Sequence, residues 1–198
     1  MNIKLGSREI IVCAAGAVAF VVSAVLKNAI FPFGTTSNMG DYFNISLGIL
    51  AAVAAIFGPI CGGVVGFGGT MLADVMLSDT IYMVDVLPAC IYGVLIGLFA
   101  GKFLALEGDF HIRQFVDYIC VAAFAGIFNW VMICPLASFI MMHSNLFTVI
   151  ERGSKIFVGA TVSAAVLGGA AMLITSKIMH RKNSRERYFD RRDAAAGR

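Results

Sequence analysis

The sequence predicts an all-α, integral membrane bundle of six transmembrane helices, with both termini on the inner face (N-in, C-in). Three observations predict it. Of 198 residues, 59% are hydrophobic and only 14% are charged, whereas soluble domains average about 25% charged. That much apolar surface calls for a bilayer as solvent and excludes disorder. The apolar residues are gathered into charge-free stretches, and a helix needs about 20 residues to cross the hydrocarbon. Finally, Lys and Arg divide twelve to three between the two faces that such helices define, as the positive-inside rule requires.

The charge-free stretch 10–26 predicts a first helix over 8–30. A secretory signal is not expected here. The 17-residue apolar core is long for one, and Lys27-Asn28 follow it in place of small cleavage-site residues. The stretch 45–73 is too long for one span and contains Gly58-Pro59, a pair that breaks helices. It therefore predicts two helices, 42–57 and 60–77, the first short enough to be tilted or to begin in the preceding loop. Stretches 86–101, 118–150 (with Pro135) and 156–176 predict helices over 82–104, 112–140 and 150–180. The outer loops are then 31–41, 78–81 and 141–149, and the inner connections are the Gly58-Pro59 turn and 105–111. The inner basic residues are Lys4, Arg8, Lys102, Arg113, Lys177 and seven between Arg181 and Arg198; the outer ones are Lys27, Arg152 and Lys155. The chain, 1–198, reads as a single six-helix membrane domain with a short basic cytoplasmic tail at about 181–198. The tail reads as a topogenic signal rather than a nucleic-acid-binding arm.

Enzyme signatures are missing from the sequence. The five cysteines (Cys13, Cys61, Cys90, Cys120, Cys134) all lie in apolar runs without a CxxC pair, which argues against a disulfide framework or a zinc site. There is no GxSxG and no HExxH. Gly97-Leu-Phe-Ala-Gly101-Lys102-Phe103 has three residues between its glycines and Phe where a phosphate loop needs Ser or Thr. No catalytic residue, metal or cofactor is therefore expected, and any bound ligand would be a substrate.

Small residues recur at four-residue spacing: Ala15 and Ala19; Gly58, Gly62 and Gly66; Gly93, Gly97 and Gly101. Such faces let a second backbone approach closely, either within the bundle or from another membrane protein. Ionisable and polar groups near the bilayer need a reason to be there. Asp74 and Asp85 fall near the outer face and Asp117 near the inner one. Asn44, Tyr82, Tyr92, Asn129 and Trp130 add polar or aromatic groups in the outer half or midplane. The candidate substrate-binding set is Asn44, Asp74, Tyr82, Asp85, Asn129 and Trp130. In an α-helix neighbours point about 100° apart, so Asn129 and Trp130 are not expected to face one pocket squarely. The segment 31–43, FPFGTTSNMGDYF, suits a gate over an outward-facing pocket.

The stretch 44–74, NISLGILAAVAAIFGPICGGVVGFGGTMLAD, resembles the substrate-binding S components of energy-coupling factor (ECF) vitamin importers, in the riboflavin-transporter-like branch. The likeness rests on Phe57-Gly58-Pro59 and on the run Gly66-Phe67-x-Gly69-x-x-Leu72-x-Asp74. It implies a multi-pass protein of the bacterial plasma membrane that captures a vitamin outside. The implied partners are a membrane coupling protein and, with it, two ATPase subunits, against which the S component tilts. Ala15 and Ala19 resemble the family's docking motif for the coupling protein. Branch substrates include cobalamin, riboflavin and queuosine precursors, and the overall resemblance leans to cobalamin; ten Met suit a roomy site and a single Trp argues mildly against a flavin sandwich. Relatives often carry His where this chain has Thr70, which bears on substrate identity. A stand-alone transporter or a scaffold subunit with no ligand of its own are the other readings the residues permit.

Overall fold

In the computed structural model, the described residues are 7–30, 44–103, 111–143 and 145–181. They form six helices and no strand. The segment 31–43, expected to act as a gate, and the tail beyond Arg181 lie outside the described residues.

Helix α1 (Ser7–Ile30) is followed by α2 (Ile45–Phe57) and α3 (Pro59–Ser78). Gly58 joins α2 to α3 with φ 91° and ψ −174°, a conformation open essentially to glycine alone. Pro59 then occupies the first turn of α3, where its missing N–H costs nothing. Helix α4 (Met83–Leu98) continues after Phe99 into a last turn at Ala100–Phe103. Helix α5 runs through Ile112–Gly126, a π-helical Ile127–Ile133 and Cys134–Met142. Helix α6 spans Leu146–Arg181 with its own π-helical stretch at Ala164–Gly168.

Helices α1, α3, α5 and α6 are long and apolar enough to cross a membrane, while α2 and α4 are shorter apolar helices. Helix α2 has 13 residues, about 20 Å at 1.5 Å per residue, which is short of the roughly 30 Å of hydrocarbon. It is tolerated because it is central. Leu50, Ala51 and Ala54 have no exposure at all, and α2 packs against α1, α3, α4 and α6. Lipid-facing side chains come instead from the periphery: Ile11, Val18 and Val22 on α1, Phe124, Met132 and Leu136 on α5, and Val162, Val166 and Ile174 on α6 are all exposed.

The glycine runs of α3 and α4 face each other, so of the two uses such faces permit, these serve packing within the bundle. A Cβ on Gly62 would strike the Gly93 carbonyl, one on Gly66 the Ala89 carbonyl, and one on Gly97 the Gly58-Pro59 backbone. The two helices therefore touch backbone to backbone and leave no smooth face there for another protein. Gly101, and Gly58 at the turn itself, have open space where a Cβ would sit. Ala15 and Ala19 differ, because both are exposed on α1. The opposite side of α1 carries Phe20, which lies against Gly69 of α3.

Two prolines shape the remaining half. Pro88 sits inside α4 and has no N–H to give the Val84 carbonyl. That carbonyl accepts from the Cys134 thiol of α5 at 3.9 Å. Pro135 does not break α5. The helix widens into its π stretch just upstream, where the Cys134 N–H reaches the Asn129 carbonyl five residues back. The wider turn rotates neighbours less, and Asn129 and Trp130 are both buried. In α6, the π stretch opposes Tyr118, whose hydroxyl donates to the Ala164 carbonyl at 3.1 Å. Tyr118 also meets the Phe103 ring edge-on, with centroids 5.4 Å apart, and this aromatic pair fills the bundle between α4, α5 and α6 at the end opposite Asp85.

Candidate functional site

Two concavities stand out in the bundle. One, of about 520 Å³, is a lateral groove on α3 and α4 lined by Ile60, Gly63, Val64, Phe67, Cys90 and Val94 among others. Its lining is apolar and offers no oriented hydrogen-bonding side chain, which suits lipid contact. The other, of about 480 Å³, lies where α4 begins, α5 ends and α6 begins. Its lining is mixed in a way that the rest of the bundle is not. Tyr82 and Asp85 come from α4 and its approach, Cys134 and Ser138 from α5, and Asn145, Thr148, Arg152, Gly153 and Ile156 from α6 and its cap.

Local sequence explains the geometry. Asn145 caps α6 by accepting the Phe147 N–H at 3.1 Å. The helix therefore starts at Leu146, one turn earlier than hydrophobicity alone predicts. That early start puts Thr148 on helix rather than loop, four residues before Arg152 and so on one face with it. Gly153 brings α6 against the π stretch of α5, where a Cβ would meet the Trp130 carbonyl. Cys134 and Ser138 are likewise four residues apart, and both are buried. Tyr82, Thr148, Asn145 and Arg152 are exposed at the mouth, whereas Val84, Cys134, Ser138 and Ile156 are buried below it. The result is a polar, charged rim of both signs over a mostly apolar interior, the composition of a small-molecule site.

The sequence-derived candidates separate into three groups. Tyr82 and Asp85 line the cavity. Asn44 and Asp74 do not. Asn44 accepts from the Lys27 ammonium at 3.2 Å and ties α1 to α2. Asp74 accepts the Tyr82 N–H at 3.0 Å and fixes the turn between α3 and α4, so it positions the residue that lines the rim. Asn129 and Trp130 lie one turn below Cys134, with Asn129 donating to the Ala125 carbonyl at 3.0 Å. Thr70 spends its hydroxyl on the Gly66 carbonyl at 2.7 Å within α3 and is not among the lining residues. Sequence reasoning missed Arg152, Thr148, Asn145, Ser138 and Cys134. The signal was present as the polar stripe 145, 148, 152 at helical spacing, but Arg152 was used only as a topological charge. Among the described residues, no group of His, Cys, Asp or Glu could hold a metal ion.

A membrane-embedded helical bundle with a polar cavity at one end has the form of a membrane substrate-binding subunit. Comparison with known proteins agrees. The family described as "ECF-type riboflavin transporter, S component" matches residues 4–180, and the chain belongs to that family. Its relatives include the UPF0397 protein of Leuconostoc citreum, 29% identical over 174 residues that make up 87% of this chain and 90% of that one. The UPF0397 protein of Lacticaseibacillus casei is 30% identical over 141 residues, 71% of this chain and 70% of its own. That of Lactiplantibacillus plantarum is 23% identical over 173 residues, 87% and 91% respectively. No solved structure matches the chain.

Proposed function

We propose that this S component captures a small water-soluble vitamin from outside the cell in the cavity between α4, α5 and α6. The observation that carries the reading is the polar rim of Tyr82, Asp85, Asn145, Thr148 and Arg152 in an otherwise apolar bundle. Asp85 would accept from ligand N–H or O–H groups, Arg152 would donate to carbonyl or anionic oxygens, and Ser138 would do either. Asn44 and Asp74 act behind this set by fixing α1–α2 and the α3–α4 turn.

The termini lie inside, which puts the cavity on the outer face and the basic tail at about 181–198 in the cytoplasm. The protein resides in the bacterial plasma membrane and carries no cofactor. A membrane coupling protein and two ATPase subunits supply the driving force. Ala15 and Ala19, small and exposed on α1, form the face on which the coupling protein docks.

The cavity volume bears on the substrate. About 480 Å³ lies within the range of roughly 300–1,000 Å³ that encloses drug-sized ligands. A riboflavin-sized molecule or a queuosine precursor belongs to that size class. Cobalamin, several times the mass of riboflavin, would leave most of its body outside. The volume thus favours the smaller ligands over the cobalamin to which overall resemblance leans.

Equilibrium binding of riboflavin, queuine and cobalamin to the purified chain in nanodiscs tests the proposal. Saturable binding of one of them, weakened by Arg152→Ala, is expected. No binding of any, with co-purification of a partner, would make the chain a scaffold subunit instead.

A further inference from the structure

Several deeply buried polar groups of the bundle do not line the cavity. Trp130 Nε1, Asn129 Oδ1 and Tyr92 Oη are buried and have no hydrogen-bond partner among the described residues. Tyr92 and Asn129 have no exposure at all, and Trp130 has 4%. Buried polar atoms in native proteins are nearly always paired, so three without a partner in one region require an explanation.

Their position supplies one. Tyr92 stands seven residues beyond Asp85 on α4, hence two turns inward on the same face. Trp130 stands one turn inward of Cys134 on α5, and its carbonyl lies against Gly153 of the cavity wall. The π stretch that carries Asn129 and Trp130 packs against both α4 and α6, and such stretches recur at functional sites. The three groups thus lie beneath the cavity on two of its three walls.

We infer that the site continues inward when ligand binds, and that Tyr92, Asn129 and Trp130 form its recognising floor. Their chemistry is complementary: an indole N–H that only donates, an amide oxygen that accepts, and a hydroxyl that does both. Asn129 Nδ2 is already committed to the Ala125 carbonyl, so the amide presents its oxygen. A planar heterocycle with a ring N–H beside a carbonyl matches this set. The inference rests on the cavity being the substrate site.

Tyr92→Phe deletes one hydroxyl and nothing else, and Asn129→Leu replaces the acceptor with an isosteric apolar group. The test measures thermal unfolding and riboflavin, queuine and cobalamin binding by the full chain in nanodiscs. Removing an unpaired buried polar atom leaves a fold as stable or more stable. The expected result is an unchanged or raised melting temperature for ligand-free Tyr92→Phe, with affinity for the bound probe lowered about tenfold or more. Asn129→Leu, which also gives up the Ala125 bond, is expected to lose affinity to a similar extent. Binding unchanged in both variants would overturn the floor assignment while leaving the proposed function intact. A clear fall in the melting temperature of ligand-free Tyr92→Phe would overturn it too, because the hydroxyl would then be paired, by water for example, in the empty protein. Failure of the wild-type chain to bind any of the three would remove the proposed function and this inference with it.

Discussion

Gly153→Ala and Gly68→Ala make the same chemical change in two transmembrane helices, and the structure predicts opposite outcomes. At Gly153 the new methyl would fall on the Trp130 carbonyl, with the Trp130 carbonyl carbon 3.0 Å away. That neighbour is helix backbone, so it cannot swing aside as a side chain would. Overpacking of this kind costs about 1–3 kcal/mol, offset by about 0.5–1 kcal/mol of improved helix propensity. A net loss of up to about 2.5 kcal/mol follows. At Gly68 nothing lies within 4 Å of the added methyl, so only the propensity gain of about 0.5–1 kcal/mol remains. The propensity gain is common to both, so the two variants should differ by the overpacking cost alone, about 1–3 kcal/mol, or about 2–12 °C in melting temperature for a chain of this length. Thermal unfolding in one detergent measures both. Gly153→Ala should also weaken ligand binding, since the shift moves α6 relative to α5 at the cavity wall. Equal melting temperatures for the two variants would refute the backbone contact between α5 and α6.

Further outcomes follow from the same contacts. Arg152→Ala should reduce affinity for the bound vitamin by about 5- to 30-fold, the effect of about 1–2 kcal/mol for a charge-assisted hydrogen bond at an exposed rim, with little change in melting temperature. Titration calorimetry reads the first and thermal unfolding the second. Ala15→Trp and Ala19→Trp should each reduce recovery of the complex with the coupling protein in pull-down while leaving vitamin binding intact, because both positions are exposed on α1. Gly93→Leu should instead lower the yield of folded chain itself, measured by size-exclusion chromatography, because Gly93 lies directly on the Gly62 backbone.

Much of the fold was legible because hydrocarbon imposes a simple rule on sequence. Charge-free stretches gave all six helices, and Gly58-Pro59 gave the break between α2 and α3. The start of α6 was not legible from hydrophobicity because it is set by the Asn145 cap, a local hydrogen bond. The π stretch of α5 was not legible either, since Pro135 signals a disruption without saying whether the helix breaks, kinks or widens. The facing glycine runs were ambiguous for a related reason: four-residue spacing shows that a face is smooth but not which backbone meets it. At the site, Tyr82 and Asp85 were legible as polar groups beside a span. Asp74 was legible as polar but not as the acceptor that holds the Tyr82 N–H, which depends on a turn between two helices. Thr148 and Asn145 were missed because the segment 141–149 was read as loop, so the helical face they share with Arg152, read only as a topological charge, was not recognised.

Sided binding tests the central claim most directly. Right-side-out and inside-out membrane vesicles containing the chain alone, without ATPases, are titrated with whichever vitamin the purified protein binds. The account predicts saturable binding in the right-side-out vesicles only, reduced by Arg152→Ala and unaffected by ATP. Binding confined to the inside-out vesicles would place the Asp85–Arg152 cavity on the wrong face of the membrane and contradict the account.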